Sequence, residues 1–178
     1  MYGIIGFVYY GYEPICRPCD MCAFVRYVLD TSALFSMQDL PPGEVHVTPG
    51  VLRELRKYND PRLRYWEDLL NVSSPGPAAV EEVREAARRT GDDARLSPTD
   101  VEVLALAAEI KAFLLTDDYS IQNVARVMGV KHMGVGLKEI KEVVKWKYRC
   151  TGCRKVWDEN HPDCPVCGSA LRSFRSRE

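Results

Sequence analysis

The apolar run Val25-Arg26-Tyr27-Val28-Leu29 stops abruptly at Asp30, and two hydroxyl residues, Thr31 and Ser32, follow it. A run so rich in β-branched and aromatic residues reads as a buried strand. A carboxylate at the end of such a strand is costly unless something partners it. In an open α/β sheet the natural place for it is the ligand crevice beyond the carboxyl ends of the strands. The pattern recurs at Phe113-Leu114-Leu115-Thr116, which stops at Asp117-Asp118.

The intervening sequence alternates strand and helix. Residues 33–37 start a short helix, Pro41-Pro42-Gly43 is a loop, and residues 45–48 form a second strand. Pro49 sits at the favoured first position of a helix through Tyr58. Pro61 opens another, with Leu63, Trp66, Leu69 and Leu70 as its apolar stripe. Residues 72–74 suit a short edge strand. Residues 77–90 form a charged helix whose Glu81, Arg84, Glu85, Arg88 and Arg89 pair at three- and four-residue spacing, and Gly91 ends it. Ser97, Pro98 and Asp100 take the cap, first and third positions of a capping box. A helix over 120–128 closed by Gly129 and a last strand over 130–135 complete the series. Such alternation implies a parallel sheet with helices on both faces.

A chain of 178 residues allows one domain with a proper core plus a small appendage. Its net charge of −1 hides an asymmetry. From Lys145 onward eight Lys/Arg face four acids, whereas the preceding residues carry sixteen against twenty-one. A basic end on an acidic body suits a polyanion that docks on one part and is processed on another. Four of the seven cysteines fall in two C-x-x-C pairs, which argues for metal rather than disulfides and for a reducing, cytoplasmic setting. The apolar stretch 3–12 has no basic flank and is too short to span a bilayer, so no membrane role is expected. Residues 1–24 lack periodicity. Cys16, Cys19 and Cys22 can hold a metal, but no fourth ligand lies nearby, and a mobile extension is expected, with Met21 an alternative start.

In right-handed βαβ units a helix begins at the edge where the strand before it ended. Asp30 and Asp117/Asp118 finish strands, Glu54 lies early in a helix, and Asp100 opens the helix before the strand ending at Asp118. Four segments therefore deliver carboxylates to one rim. Unpaired, these would raise one another's pKa values. All-oxygen ligands favour Mg²⁺ or Mn²⁺, and such a cation, or a pair, can activate water and stabilise in-line attack on a phosphodiester. Each acid also has a structural explanation, Asp100 and Asp118 as helix caps and Glu54 as a partner of Arg53 or Lys57, and Asp30 is the hardest to dismiss in this way.

These residues resemble the PIN-domain nucleases. Val28-Leu29-Asp30-Thr31-Ser32, Val51-Leu52-Arg53-Glu54-Leu55, Ser97-Pro98-Thr99-Asp100 and Thr116-Asp117-Asp118 match that family's four acidic motifs over roughly residues 25–144. The resemblance implies a three-layer α/β/α domain with a parallel sheet of four or five strands, and metal-dependent RNA cleavage. It makes Asp30, Glu54, Asp100 and Asp118 the ligands of Mg²⁺ or Mn²⁺, with Asp117 and Ser32 in support. A phosphatase of the haloacid-dehalogenase kind would need a second Asp where Ser32 stands.

Cys150-Thr151-Gly152-Cys153 and Cys164-Pro165-Val166-Cys167-Gly168 are two metal knuckles ten residues apart. Four thiolates at this spacing bind one structural zinc and tie down a segment too small to fold by its own core. Rubredoxin-type iron uses a similar knuckle. His161 is read as a loop residue. Around the knuckles, Lys145, Lys147, Arg149, Arg154, Lys155, Arg172 and Arg175 alternate with aromatics, which suits phosphate contacts and stacking on unpaired bases. Trp146, Tyr148, Trp157 and Phe174 can equally form the ribbon's small core, with Trp157 its leading member. Arg53, Arg56, Lys57, Arg62 and Arg64 lie where they can guide a phosphate backbone.

A PIN domain followed directly by a four-cysteine ribbon is similar to the archaeal Nin-one-binding family of ribosome-maturation endonucleases, which residues 114–125 and the junction 145–153 also match. That resemblance implies cleavage at the 3′ end of small-subunit ribosomal RNA within a pre-ribosomal particle, with no small-molecule cofactor. The expected division is an extension over 1–24, a nuclease domain over 25–144, a zinc ribbon over 145–172 and a basic tail over 173–178. The rival readings are a non-catalytic RNA-binding assembly factor and a toxin-like PIN ribonuclease acting on free RNA.

Overall fold

A computed structural model describes residues 25–136 and 143–176. The three cysteines of the N-terminal extension lie outside the described residues.

Five parallel strands form the main sheet: β1 (Arg26–Leu29), β2 (Glu44–Val47), β3 (Leu70–Val72), β4 (Phe113–Leu115) and β5 (His132–Met133). Their order is β3-β2-β1-β4-β5. Val28 faces His46 on one side and Leu114 on the other, so the first strand is the middle of the sheet. Its Val28 and Leu29 are fully buried, as a run apolar on both faces requires.

The chain winds outward from β1 through α1 (Thr31–Ser36), β2, α2 (Pro49–Lys57) and α3 (Leu63–Trp66) to β3. It then crosses through α4 (Pro77–Thr90) and α5 (Pro98–Glu109) to β4, and continues through α6 (Tyr119–Met128) to β5. Right-handed crossovers put the two sets of helices on opposite faces. Accordingly α4, α5 and α6 pack on one another, and α1 packs on α2. The winding reverses between β1 and β4, and a parallel sheet opens its crevice at the carboxyl ends of such a pair. Asp30 and Asp117 follow those two strands.

Three expectations shift in detail, the last strand being only His132–Met133 rather than 130–135. The helix opened by Pro61 is only one turn long, so Leu63 and Trp66 are buried while Leu69 is exposed and Leu70 enters the core from β3. The edge strand therefore begins two residues early. Strand spacing is the reason: Leu70 pairs in register with Val45, and a longer helix would consume the residue that fills that slot.

The C-terminal segment forms an antiparallel sheet, β7 (Val156–Trp157), β6 (Lys145–Cys150) and β8 (Leu171–Ser176), in that order. The stretch 173–176, read as tail, belongs to β8: Ser173 pairs with Tyr148 and Ser176 with Lys145. The buried aromatic of this sheet is Tyr148, 4% exposed, not Trp157, which is half-buried against His161. The cause is the neighbouring body. The Tyr148 hydroxyl donates to the carbonyl of Gly91 at 2.8 Å. Gly91 takes a left-handed conformation at the end of α4, and a Cβ there would lie 2.7 Å from the Trp146 carbonyl, so glycine suits both the turn and the close approach.

Candidate active site and metal centre

Asp30 caps α1. Its Oδ1 accepts from the Thr31 amide at 2.7 Å, and its Oδ2 from the Ser32 hydroxyl at 2.6 Å and the Thr116 hydroxyl at 3.0 Å. The residue is 5% exposed, and burial pushes its carboxyl above the usual range while the bonds from Ser32 and Thr116 oppose that rise. A buried acid thus persists because donors on three neighbouring residues, Thr31, Ser32 and Thr116, satisfy it.

Ser32 and Thr116 knit the two strand ends together. The Ser32 hydroxyl accepts from the Asp117 amide at 3.0 Å, and the Thr116 hydroxyl accepts from the Asp118 amide at 3.0 Å. Asp117 and Asp118 then diverge. The buried Asp117 carboxylate accepts from the amides of Val135 and Gly136, at 2.8 to 3.1 Å, and so fixes the loop after β5. Asp118 is exposed and caps α6, both of its amide bonds falling on Oδ1.

Glu54 arrives from α2, where Oε2 accepts from the Thr31 hydroxyl at 2.6 Å. Thr31 follows Asp30 directly, so this one bond brings the second acid to the first. Asp100 arrives from α5 inside the expected capping box: its carboxylate accepts from the Ser97 amide at 2.7 Å, and Ser97 Oγ accepts from the Asp100 amide at 3.2 Å. Its carboxyl is pushed up to about 6. Burial is the main cause, the Ser97 bonds oppose it, and the negative charges of Asp30 and Asp118 add to it. The starts of α2 and α5 also meet closely, for a Cβ on Gly50 would lie 2.9 Å from the Thr99 side chain.

The capping explanations for Asp100 and Asp118 are therefore correct as far as they go, and each residue also contributes charge to a common rim. Sequence reasoning passed over Thr116 and Thr31 as site members. The available signal was their place in the same two motifs, each adjoining an acid at the end of a strand.

The donor set at the rim is all oxygen. Among the described residues, only the four cysteines form a set with ligand atoms all within 4.8 Å of one another, so the acids are spaced more widely. Oxygen donors of this kind suit a hard divalent cation better than zinc.

The cysteines are tighter. Cys150 and Cys167 sulfurs lie 3.3 Å apart, and those of Cys153 and Cys164 lie 3.7 Å apart. Four sulfurs at tetrahedral bond lengths to a zinc ion are about 3.8 Å from one another. Gly168, in a left-handed conformation, closes the second knuckle with its amide on the Cys164 carbonyl at 2.9 Å. The four thiolates fill every tetrahedral position, so this centre fits a structural ion and leaves none open for chemistry.

The basic residues of the ribbon do not act alike. Lys147 is paired with Asp158 at 3.1 Å. Arg149 and Arg172 sit directly opposite each other across β6 and β8, and the Arg149 guanidinium lies 4.5 Å over the Phe174 ring. Like charges so placed repel. With Arg154 they line one groove, where a polyanion would relieve the repulsion. Arg175 and Lys155 are exposed, as is Lys145. Trp146 is unavailable for stacking on a base across the face covered by Arg95, whose guanidinium lies 3.7 Å from its ring.

Residues 27–110 match the model of the PIN domain of ribonucleases. The chain is 38% identical over 161 residues to Endoribonuclease Nob1 of Pyrococcus abyssi, covering 86% of this chain and 96% of that protein. It is 41% identical over 149 residues to Endoribonuclease Nob1 of Archaeoglobus fulgidus, covering 80% and 87%. It is also 40% identical over 151 residues to Ribonuclease VapC1 of Thermoplasma acidophilum, covering 82% and 76%. With a PIN-type parallel sheet, an acidic rim at its switch point and a four-cysteine ribbon in one chain, these relationships settle the assignment: the chain belongs to the Nob1 family of PIN-domain endoribonucleases.

Proposed function

We propose that the chain cleaves single-stranded precursor RNA and matures the 3′ end of small-subunit ribosomal RNA, working on a pre-ribosomal particle in the cytoplasm. The observation that carries this reading is the hydrogen-bonded meeting of the acidic segments: the Thr116 hydroxyl joins Asp30 to the Asp118 amide, and Asp100 opens α5 where that helix meets the start of α2. Glu54 joins them through Thr31. Family membership supplies the RNA substrate class, and the resemblance to ribosome-maturation nucleases supplies the particle.

In this reading Asp30, Glu54, Asp100 and Asp118 hold Mg²⁺ or Mn²⁺. Such an ion stabilises charge developing on a phosphodiester and makes water a better nucleophile. The protein's own part is positional. Ser32 and Thr116 fix the Asp30 oxygens, Thr31 fixes Glu54, and Ser97 fixes Asp100. Asp117 holds the 135–136 loop at the same edge. Zinc on Cys150, Cys153, Cys164 and Cys167 shapes the ribbon, from which Lys145, Lys147, Arg149, Arg154, Lys155, Arg172 and Arg175 present charge to the phosphate backbone. Phosphate contacts of this kind position RNA rather than read its sequence.

The test is cleavage of a short precursor ribosomal RNA by the full chain and by Asp30→Asn, each with and without Mn²⁺. Cutting by the unmodified chain with Mn²⁺ alone is expected. Equal results in all four conditions would overturn the reading and leave a non-catalytic RNA-binding assembly factor. A toxin-like role on free RNA has the VapC1 similarity in its favour. Growth arrest on expression, with general loss of cellular RNA, would support that role instead.

A further inference from the structure

Phe35 and Tyr58 form an exposed aromatic ledge beside the acidic rim. Their rings meet edge to face with centroids 5.4 Å apart, and they are 42% and 63% exposed. Single exposed apolar residues are ordinary. A preformed pair of rings is a different matter, because each ring fixes the other while leaving aromatic surface open to water.

Its position gives it a use. Phe35 lies four residues after Thr31 on α1, and Tyr58 lies four residues after Glu54 at the end of α2. Residues four apart on a helix stack one above the other. The Phe35–Tyr58 contact is therefore the next rung after the Thr31–Glu54 hydrogen bond, about 6 Å further along the two helices. The Tyr58 amide donates to the Glu54 carbonyl at 3.1 Å, so ring and acid share one rigid turn.

The charge beside the ledge matches an RNA strand. Arg53 and Lys57, each preceding one of these α2 residues, are exposed. Arg56 is held by Glu67 and Arg62 by Asp60, which leaves Arg53 and Lys57 as the cations nearest the ledge in sequence that no ion pair engages among the described residues. Stacking on an aromatic ring is tolerant of base identity, and neighbouring cations take the phosphates.

We propose that Phe35 and Tyr58 stack an unpaired base of the RNA next to the phosphate held at the acids, as positioning residues. This rests on the nuclease reading above. It restricts substrates to strands with an unstacked base at that place, since a paired base offers no free face.

The test uses the full chain with a short single-stranded oligoribonucleotide carrying 2-aminopurine at successive positions. Two readouts are taken: cleavage kinetics with Mn²⁺, and fluorescence quenching with Mg²⁺ in the first moments after mixing, before the strand is cut. Phe35→Ala and Tyr58→Ala should each raise KM about tenfold while leaving kcat near that of the unmodified chain. Both should abolish quenching at one position of the oligonucleotide. Phe35→Tyr and Tyr58→Phe should behave as the unmodified chain, because the ring and not the hydroxyl is needed. Alanine variants with unchanged KM and unchanged quenching would overturn the ledge, as would a chain dimer that these variants dissociate. Cleavage without quenching anywhere sinks the ledge and spares the nuclease. Quenching that the alanine variants lose, in a chain that never cleaves, does the reverse.

Discussion

Thr116 is the residue on which the rim turns. One hydroxyl donates to Asp30 and accepts from the Asp118 amide, tying two acids from distant segments to a single atom. Thr116→Val removes both bonds while keeping the shape, and should cost about 1–3 kcal/mol in chemical denaturation, since it leaves buried polar groups unmatched. Thr116→Ser should recover most of that loss. Asp100 carries the pH dependence. Its folded carboxyl is raised to about 6 from an ordinary 3.8, so the folded chain binds its proton more tightly than the unfolded chain does. That contribution to stability is fully present below the unfolded value and is lost as pH rises through the folded one. In the absence of a cation the ionised rim is therefore a liability near neutrality, and a cation should relieve it there most. The gain in melting temperature on adding Mn²⁺ should accordingly be larger at about pH 7.5 than at about pH 5. An equal gain at both would place the manganese elsewhere.

At the scale of elements, much of the site was legible because caps and strand ends leave marks in sequence. Ser97-Pro98-Thr99-Asp100 reads as a capping box and forms one, and the two runs ending at Asp30 and Asp117 are the adjacent strands β1 and β4. What sequence did not reveal are contacts made across elements. Nothing local marks Thr31 as the partner of Glu54, because 23 positions separate them. Periodicity likewise overextended the helix after Pro61, since Leu70 satisfies a helical stripe and a strand register equally well. Trp157 leads the ribbon core by sequence, whereas the docking of β6 on Gly91 gives that place to Tyr148. The cap on α5 should be measurable by itself: Ser97→Ala should lower stability by about 1 kcal/mol and slow cleavage by loosening Asp100. Normal cleavage in that variant would show that Asp100 needs no anchoring.

For the whole molecule, the consequence lies in how ribbon and body are joined. Asn123 on α6 donates to Asp92 at 2.6 Å and to the Val144 carbonyl at 2.7 Å, and accepts from the Val144 amide at 2.7 Å. Arg95 lies over Trp146 and donates to Ser173 at 2.9 Å. The basic groove and the acidic rim are thus parts of one folded unit. Cys164→Ser should remove one zinc per chain by elemental analysis and weaken RNA binding, while the parallel sheet keeps its own core. Loss of the whole fold in that variant would mean that the ribbon holds up the body as well. The most direct trial of the account is anomalous diffraction from crystals of the full chain soaked in Mn²⁺. The expected map has a manganese peak bounded by Asp30, Asp100 and Asp118, with Glu54 facing it. A well-occupied crystal with manganese only at other sites, or with none, would contradict the shared-cation rim on which the assignment of these acids depends.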